Sequence, residues 1–310
     1  MSRGPSRMPL IPSMLWLCAT AIGCTDTFAR QLVVHPTGLG RMRQDLRGSA
    51  ERLLSQGRID AHHRIRADDG IELDVWTIRA TGTCRGTVIL FHGICDAKAS
   101  YLVIGEELGR RGFDVVLHDL RAHGRSGGQY VTWGALEQRD ARRIMDELIA
   151  AGTVRPPVYA MGMSLGGAVA IQYAAIEPRC RGVMALAPCK DARTICRRLL
   201  LATAPLMWPG QYTKVLARAG EIGGFDPADA SAVDAAARLT CPLLLAHGSR
   251  DWTVPPSHSR AIYDAAGGPR QRIVVPDTGH NDLIRVHWRW AVEAFDHMAR
   301  TGLETPAREP

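Results

Sequence analysis

Three residues of this chain, Ser164, Asp251 and His280, are of the types that together perform nucleophilic acyl transfer. A serine hydroxyl attacks poorly until a base takes its proton. Histidine can do so near neutral pH, and a carboxylate holds its tautomer and stabilises the imidazolium that forms. Ser164 stands in VYAMGMSLGGAVA, residues 158–170, between Gly162 and Gly166 after an apolar run. Small neighbours suit a strand that turns sharply into a helix and lifts the serine oxygen clear of the backbone. The plainer alternative is a helix cap, because a serine oxygen can accept a first-turn N–H. In a chain with 31 glycines, G-x-S-x-G alone does not choose between the two.

Acyl transfer also needs donors for the oxygen that becomes negative. GTVILFHGICDAK ends an apolar run at His92-Gly93, where a glycine allows close backbone approach. The backbone N–H groups of Ile94 and Leu165 are the candidate oxyanion donors, a strand-ending turn being the alternative reading of His92-Gly93. Asp251 follows the apolar run 242–247 in LLLAHGSRDWTVP, and His280 follows another in VVPDTGHNDL. Asp191, after the preceding strand, is the reserve acid.

The elements that must position these groups alternate strand, helix, strand. That pattern predicts an α/β fold with a mostly parallel central sheet and helices on both faces. Ser164, Asp251 and His280 each follow a predicted strand, which places them on one edge of such a sheet, where functional groups collect. HHRIRADDGIELDVWTIRA reads as a hairpin turning at Asp68-Asp69-Gly70. Between GVMALAP and CPLLLAH lie about fifty residues with helical patterning, a helical cap at 190–240 inserted before the penultimate strand. The expected organisation is a signal segment over 1–24, a leader over 25–60, the main domain over 61–300 and a tail over 301–310.

Composition narrows the classes. With 310 residues, 46% of them apolar, the chain can bury the core of one large domain. Its formal charge of +7 is carried largely by arginine, since lysine occurs only at Lys98, Lys190 and Lys214. The arginines are scattered without basic–aromatic repeats, so they read as a solvated surface, with no nucleic-acid partner. No H-E-x-x-H occurs and no G-x-G-x-x-G follows the first strand, so neither a metal nor a cofactor is expected. Eight cysteines without a C-x-x-C pair make no disulfide scaffold.

The first residues carry Arg3 and Arg7 and then a short run almost free of charge, the pattern of an export signal. AIGC, ending at Cys24, resembles the lipobox of bacterial lipoproteins. The expectation is a lipid-anchored envelope protein tethered through residues 25–60, the alternatives being a secreted protein or an uncleaved membrane anchor.

The order serine, acid, histidine, with LFHG, DLRAHGRSGG, GMSLGG, HGSRDWTVP and TGH, resembles the α/β-hydrolase superfamily over residues 61–298. The likeness is to its serine-aminopeptidase-like branch, which includes monoacylglycerol-lipase-like and Bem46-like proteins. The resemblance implies Ser164 as nucleophile, Asp251 as acid, His280 as base, and Ile94 and Leu165 as oxyanion donors. It implies a small-molecule carboxylic ester as substrate, lipid-like esters included, or an amide, as for a serine aminopeptidase. A surface-anchored binding protein on a decayed hydrolase fold is the non-enzyme alternative. A dehalogenase of this fold would carry aspartate at position 164. Ala122 stands where the family usually has glycine, a change that alanine accommodates outside the left-handed region. Leu199, Leu200, Leu201, Leu206, Met207 and Trp208 could pack within the cap or line an acyl channel. Nearby, Arg193, Arg197 and Arg198 could face acidic head groups or water. In the resembling fold, Cys180 and Cys241 begin neighbouring parallel strands, close enough for contact and, in an oxidising compartment, for a disulfide.

Overall fold

The computed structural model describes residues 23–34, 49–205, 207, 209–304 and 310. Helices α1 (Gly23–Val33) and α2 (Ala50–Ser55) precede the sheet strands. Strands β1 (Ala61–Arg66) and β2 (Glu72–Ile78) form the expected hairpin, with Gly70 at φ +87° in its turn. There follow β3 (Thr87–Phe91), α3 (Leu102–Arg110), β4 (Asp114–His118), α4 (Glu137–Ala150), β5 (Val158–Met163), α5 (Leu165–Ile176) and β6 (Cys180–Leu186). The cap contributes α6 (Ala192–Thr203), α7 (Pro209–Gly223) and α8 (Ala232–Ala237). The chain returns to the sheet as β7 (Leu243–Gly248), α9 (Ser257–Ala265), β8 (Arg270–Val275), α10 (Asp282–Arg285) and α11 (Trp288–Thr301).

The eight strands lie in the order β1-β2-β4-β3-β5-β6-β7-β8. The pairs β1–β2 and β2–β4 are antiparallel and the rest parallel, so this is an α/β-hydrolase fold with a helical insertion before its penultimate strand. Successive strand residues point to opposite faces, and here both faces are covered. Ile89 and Phe91 of β3 enter one core with α4 and α5; Val88 and Leu90 enter the other with α3 and α11. Helix α5 is apolar on nearly every side and buried from Leu165 to Ala174, which seats it rigidly against the sheet behind Ser164. Because β3, β5, β7 and β8 are parallel, the loops after them open on one edge.

Two expectations are corrected here. The envelope-anchor expectation fails against the described residues, in which no helix is long and apolar enough to cross a membrane. The apolar stretch before Gly23 lies outside the described residues. Cys24 falls in the first turn of α1, and the residues after it form a packed helix instead of a tether. Ala29, Leu32 and Val33 are buried, Asp26 Oδ1 accepts from Arg218 Nε of α7 at 2.7 Å, and Trp133 Nε1 donates to the Leu32 carbonyl at 3.2 Å.

Ala122 does adopt the left-handed region, at φ 60°, contrary to the expectation. Its N–H donates to the Gly127 carbonyl at 2.8 Å, so the loop holds it there at a cost of roughly 1–2 kcal/mol. Cys180 and Cys241 are neighbouring buried thiols at the starts of adjacent segments, and no bond joins them. The Cys241 thiol raises that of Cys180 far above its ordinary range, with burial adding to the effect.

Candidate active site

Between β5 and α5 the backbone turns within one residue. Ser164 sits at φ 57°, ψ −120°, a conformation costly for a residue with a Cβ. Its surroundings hold it there: the Ser164 N–H donates to the Leu186 carbonyl at 2.8 Å, and its carbonyl accepts the Ala168 N–H at 3.1 Å. Gly162 and Gly166 are needed for space. A Cβ on Gly162 would lie 2.3 Å from the Gly166 carbonyl oxygen, and one on Gly166 would lie 2.3 Å from that of Phe91. The Ser164 side chain makes no capping hydrogen bond, so the helix-cap alternative is excluded.

The loop after β3 runs directly beside this turn. A Cβ on Gly93 would stand 3.6 Å from the Ser164 Cβ and from the Met163 carbonyl. His92 orients the loop. Its Nε2 accepts the Leu120 N–H at 3.0 Å, so the ring proton resides on Nδ1, which donates to the Gly93 carbonyl at 2.8 Å. The carbonyl of a trans peptide points opposite to the N–H of the same plane. Holding the Gly93 carbonyl therefore sets the direction of the Ile94 N–H. Leu165 opens α5, where first-turn N–H groups have no intrahelical partner and the helix dipole favours negative charge. Sequence reasoning placed His92-Gly93 at the start of the oxyanion loop, or in a plain strand-ending turn, and gave the His92 side chain no role; its orienting role depends on contact with Leu120, 28 positions away.

Asp251 and His280 meet across the ends of β7 and β8. His280 Nδ1 lies 2.6 Å from Asp251 Oδ2. An ionised carboxylate only accepts, so Nδ1 carries the proton and Nε2 keeps its lone pair on the far side of the ring. Asp251 Oδ1 accepts the N–H groups of Thr253 and Val254, each at 2.9 Å. His247, which the motif reading passed over, lies with Nε2 3.3 Å from Asp251 Oδ2 and 2.7 Å from the Val254 carbonyl. Burial works against the charge on Asp251, yet hydrogen bonds from His247, His280 and the Val254 N–H outweigh it and bring its pKa down to about 2. The i,i+4 spacing of His247 and Asp251 was visible in HGSRD, but only the turn after β7 makes it a contact.

The two loops are sewn together by Arg250 N to the Thr278 carbonyl at 3.0 Å and Asp277 N to Ser249 Oγ at 2.9 Å. A Cβ on Gly248 would fall 2.2 Å from the Thr278 carbonyl, so this approach requires glycine. Ser164 is buried at the same edge, although among the described residues no hydrogen bond joins it to His280. Asp191 is elsewhere engaged: it caps α6, with Oδ1 accepting the Thr194 N–H at 2.6 Å.

The cap touches the acid loop. Arg198 donates through one terminal nitrogen to the Trp252 carbonyl and through Nε to that of Thr253 at 3.1 Å. Arg197 lies over the Tyr212 ring at 5.6 Å, so two of the three cap arginines have protein partners. Leu200 is buried, whereas Leu199 and Leu201 are each 41% exposed. Met207 is half-buried; Leu206 and Trp208 lie outside the described residues.

Residues 82–219 match the family model described as serine aminopeptidase, S33. Over that stretch the chain is similar to the serine-aminopeptidase/esterase-like branch of the α/β-hydrolases, whose fold it has. A monoacylglycerol lipase from Mycolicibacterium smegmatis is similar at 28% identity, over 66% of this chain and 84% of that protein. Among solved structures, an esterase from Pyrococcus furiosus superposes with a TM-score of 0.64 at 22% identity, covering 80% of this chain and 95% of that one. An esterase from Thermogutta terrifontis gives 0.55 at 22% identity, over 78% and 99%. At these identities the structures speak to the fold. The family match supports a general serine-hydrolase type of function for this fold.

Proposed function

We propose that this α/β-hydrolase cleaves carboxylic esters through an acyl-enzyme on Ser164, with His280 as base, Asp251 as acid and the N–H groups of Ile94 and Leu165 as oxyanion donors. The observation that carries the reading is the 2.6 Å contact between His280 Nδ1 and Asp251, on the sheet edge that presents an uncapped Ser164. With Nδ1 committed to the carboxylate, Nε2 is the nitrogen available to take the serine proton. Ser164 Oγ attacks the acyl carbon and the carbonyl electron pair moves onto oxygen, between the two N–H donors. Collapse expels the alkoxide, which takes the proton from His280. Water then attacks the acyl-enzyme with His280 again as base, releasing the acid and restoring the serine.

Esters are favoured over amides because alkoxide leaves more readily than an amine anion. The exposed Leu199 and Leu201 on α6 suit an apolar acyl chain, as does similarity to a relative named as a monoacylglycerol lipase. A serine aminopeptidase must hold a substrate ammonium, and the carboxylate that opens the cap, Asp191, is occupied in capping α6. The test is fluorophosphonate labelling with peptide mapping, beside turnover of p-nitrophenyl esters of graded chain length. Label on Ser164, and loss of both label and turnover in folded Ser164→Ala and His280→Ala, is the expected result. The double variant should resemble either single one, because the residues act as a unit. Substantial ester turnover in purified Ser164→Ala overturns the assignment.

A further inference from the structure

Lys98 is a lysine with no exposed surface, four residues beyond Ile94. Its ammonium lies 2.5 Å from Asp74 Oδ1 and 2.5 Å from Asp119 Oδ2, and 4.5 Å from the centroid of the Trp76 ring. Its backbone N–H donates to Asp119 Oδ1 at 2.9 Å. Both carboxylates are themselves buried and anchored. Asp119 Oδ2 accepts the Arg125 N–H at 2.9 Å, while Asp74 Oδ2 lies 2.9 Å from His62 Nε2 and 3.1 Å from an Arg64 terminal nitrogen. Ser126 joins the two strands, accepting the Asp74 N–H at 2.9 Å and donating to the Asp119 carbonyl at 2.7 Å.

The consequence concerns the loop from His92 to Lys98. Its first residue is tied to the Leu120 N–H and its last to the carboxylate of Asp119, two consecutive residues just past β4. The segment bearing Ile94 is thus stapled at both ends to one rigid strand end. Burying an ammonium carries a desolvation penalty that its ion pairs need not repay, so stability alone is a poor reason for these bonds. Here they hold a loop whose one functional product is the direction of a backbone N–H.

We propose that Lys98 is a positioning residue for the oxyanion site: through Asp119 and Asp74 it fixes the far end of the 92–98 loop so that the Ile94 N–H meets the developing negative charge. The inference rests on the serine-hydrolase reading. Its action is indirect, since Lys98 touches no reacting atom. An oxyanion donor displaced by a fraction of an ångström loses transition-state stabilisation while leaving the ground-state complex largely intact.

The experiment compares wild type with Lys98→Met, Lys98→Arg and Asp74→Asn, each counted by fluorophosphonate titration so that only competent sites enter the rate. Three quantities are measured: kcat and KM for a p-nitrophenyl ester, and the affinity of an alkylboronic acid, which forms a tetrahedral adduct with the serine. Expected is a kcat lower by about 10- to 100-fold in Lys98→Met, with KM within about 3-fold and boronate affinity falling in parallel with kcat. Lys98→Arg, which keeps the charge at a different length, should lie between it and wild type. Should Lys98→Met fail to fold, Asp74→Asn, which leaves Lys98 paired with Asp119, is expected to show the same parallel loss on a smaller scale. A lowered melting temperature with kcat per titrated site and boronate affinity unchanged overturns the positioning role. Absence of labelling in wild type overturns the serine-hydrolase reading, and this proposal with it; labelling with unchanged kcat in the variants overturns this proposal alone.

Discussion

Asp251→Asn is the substitution that most sharply tests how the acid works. The carboxylate accepts from Thr253 N, Val254 N and His280 Nδ1, with His247 Nε2 close by. Asparagine can keep its oxygen on the two backbone N–H groups, but its amide nitrogen then faces His280 Nδ1, donor against donor. The ring resolves this by moving its proton to Nε2, the nitrogen that must receive the serine proton. The histidines and N–H groups around the carboxylate hold it charged, with its pKa lowered to about 2, and asparagine gives up that charge as well. The misplaced proton and the lost charge together set a loss of about 10⁴ in kcat, or about 5.5 kcal/mol. Single-turnover acylation by a p-nitrophenyl ester, normalised to folded protein, measures it. A folded variant retaining more than a tenth of wild-type kcat/KM would refute the tautomer argument. Stability carries a second signature. Because the folded pKa is depressed, the term is fully present above pH 4 and is lost as pH falls from about 4 through about 2. Denaturant titrations across that window should show wild type losing about 2 kcal/mol from this group, a loss absent from Asp251→Asn.

Three further outcomes follow from particular contacts. Ala122→Gly relieves a left-handed alanine but loosens the unfolded chain, so urea unfolding should show stability unchanged or raised by up to about 1 kcal/mol; a clear destabilisation would contradict the strain. Leu32→Ala should cost about 2–5 kcal/mol if α1 is docked as a part of the domain, whereas a tether would give no change in thermal unfolding. Mild oxidation with diamide should join Cys180 to Cys241, closing a loop of about 60 residues that spans the cap and raising stability by up to about 4 kcal/mol; peptide mapping that finds both thiols unchanged rejects the pairing.

Strand and helix order, the side of the sheet on which chemistry would gather, and the identity of the turn serine were legible in the sequence because they depend on local pattern. Apolar runs of four to six residues make buried strands, and the small residues around Ser164 answer a steric demand met within five positions. The residues that orient the site were not legible in that way. His92 becomes an orienting group only when β4 brings the Leu120 N–H to it, and His247 only when the turn after β7 folds back on its own strand. Lys98 is only one of three lysines until Asp74 and Asp119, 24 and 21 positions away, close around it. Ala122 reads as a harmless substitution until the loop places it at positive φ. The N-terminal reading failed for a related reason. A short apolar segment before a cysteine suggests an address, whereas the residues after Cys24 bury Ala29, Leu32 and Val33 and bond through Asp26 to Arg218 of α7 and through the Val33 carbonyl to the Val131 N–H, almost two hundred and one hundred positions away. Local pattern sets what each segment can become; which polar groups meet, and therefore which N–H, lone pair or carboxylate is free to act, is decided only when distant segments pack.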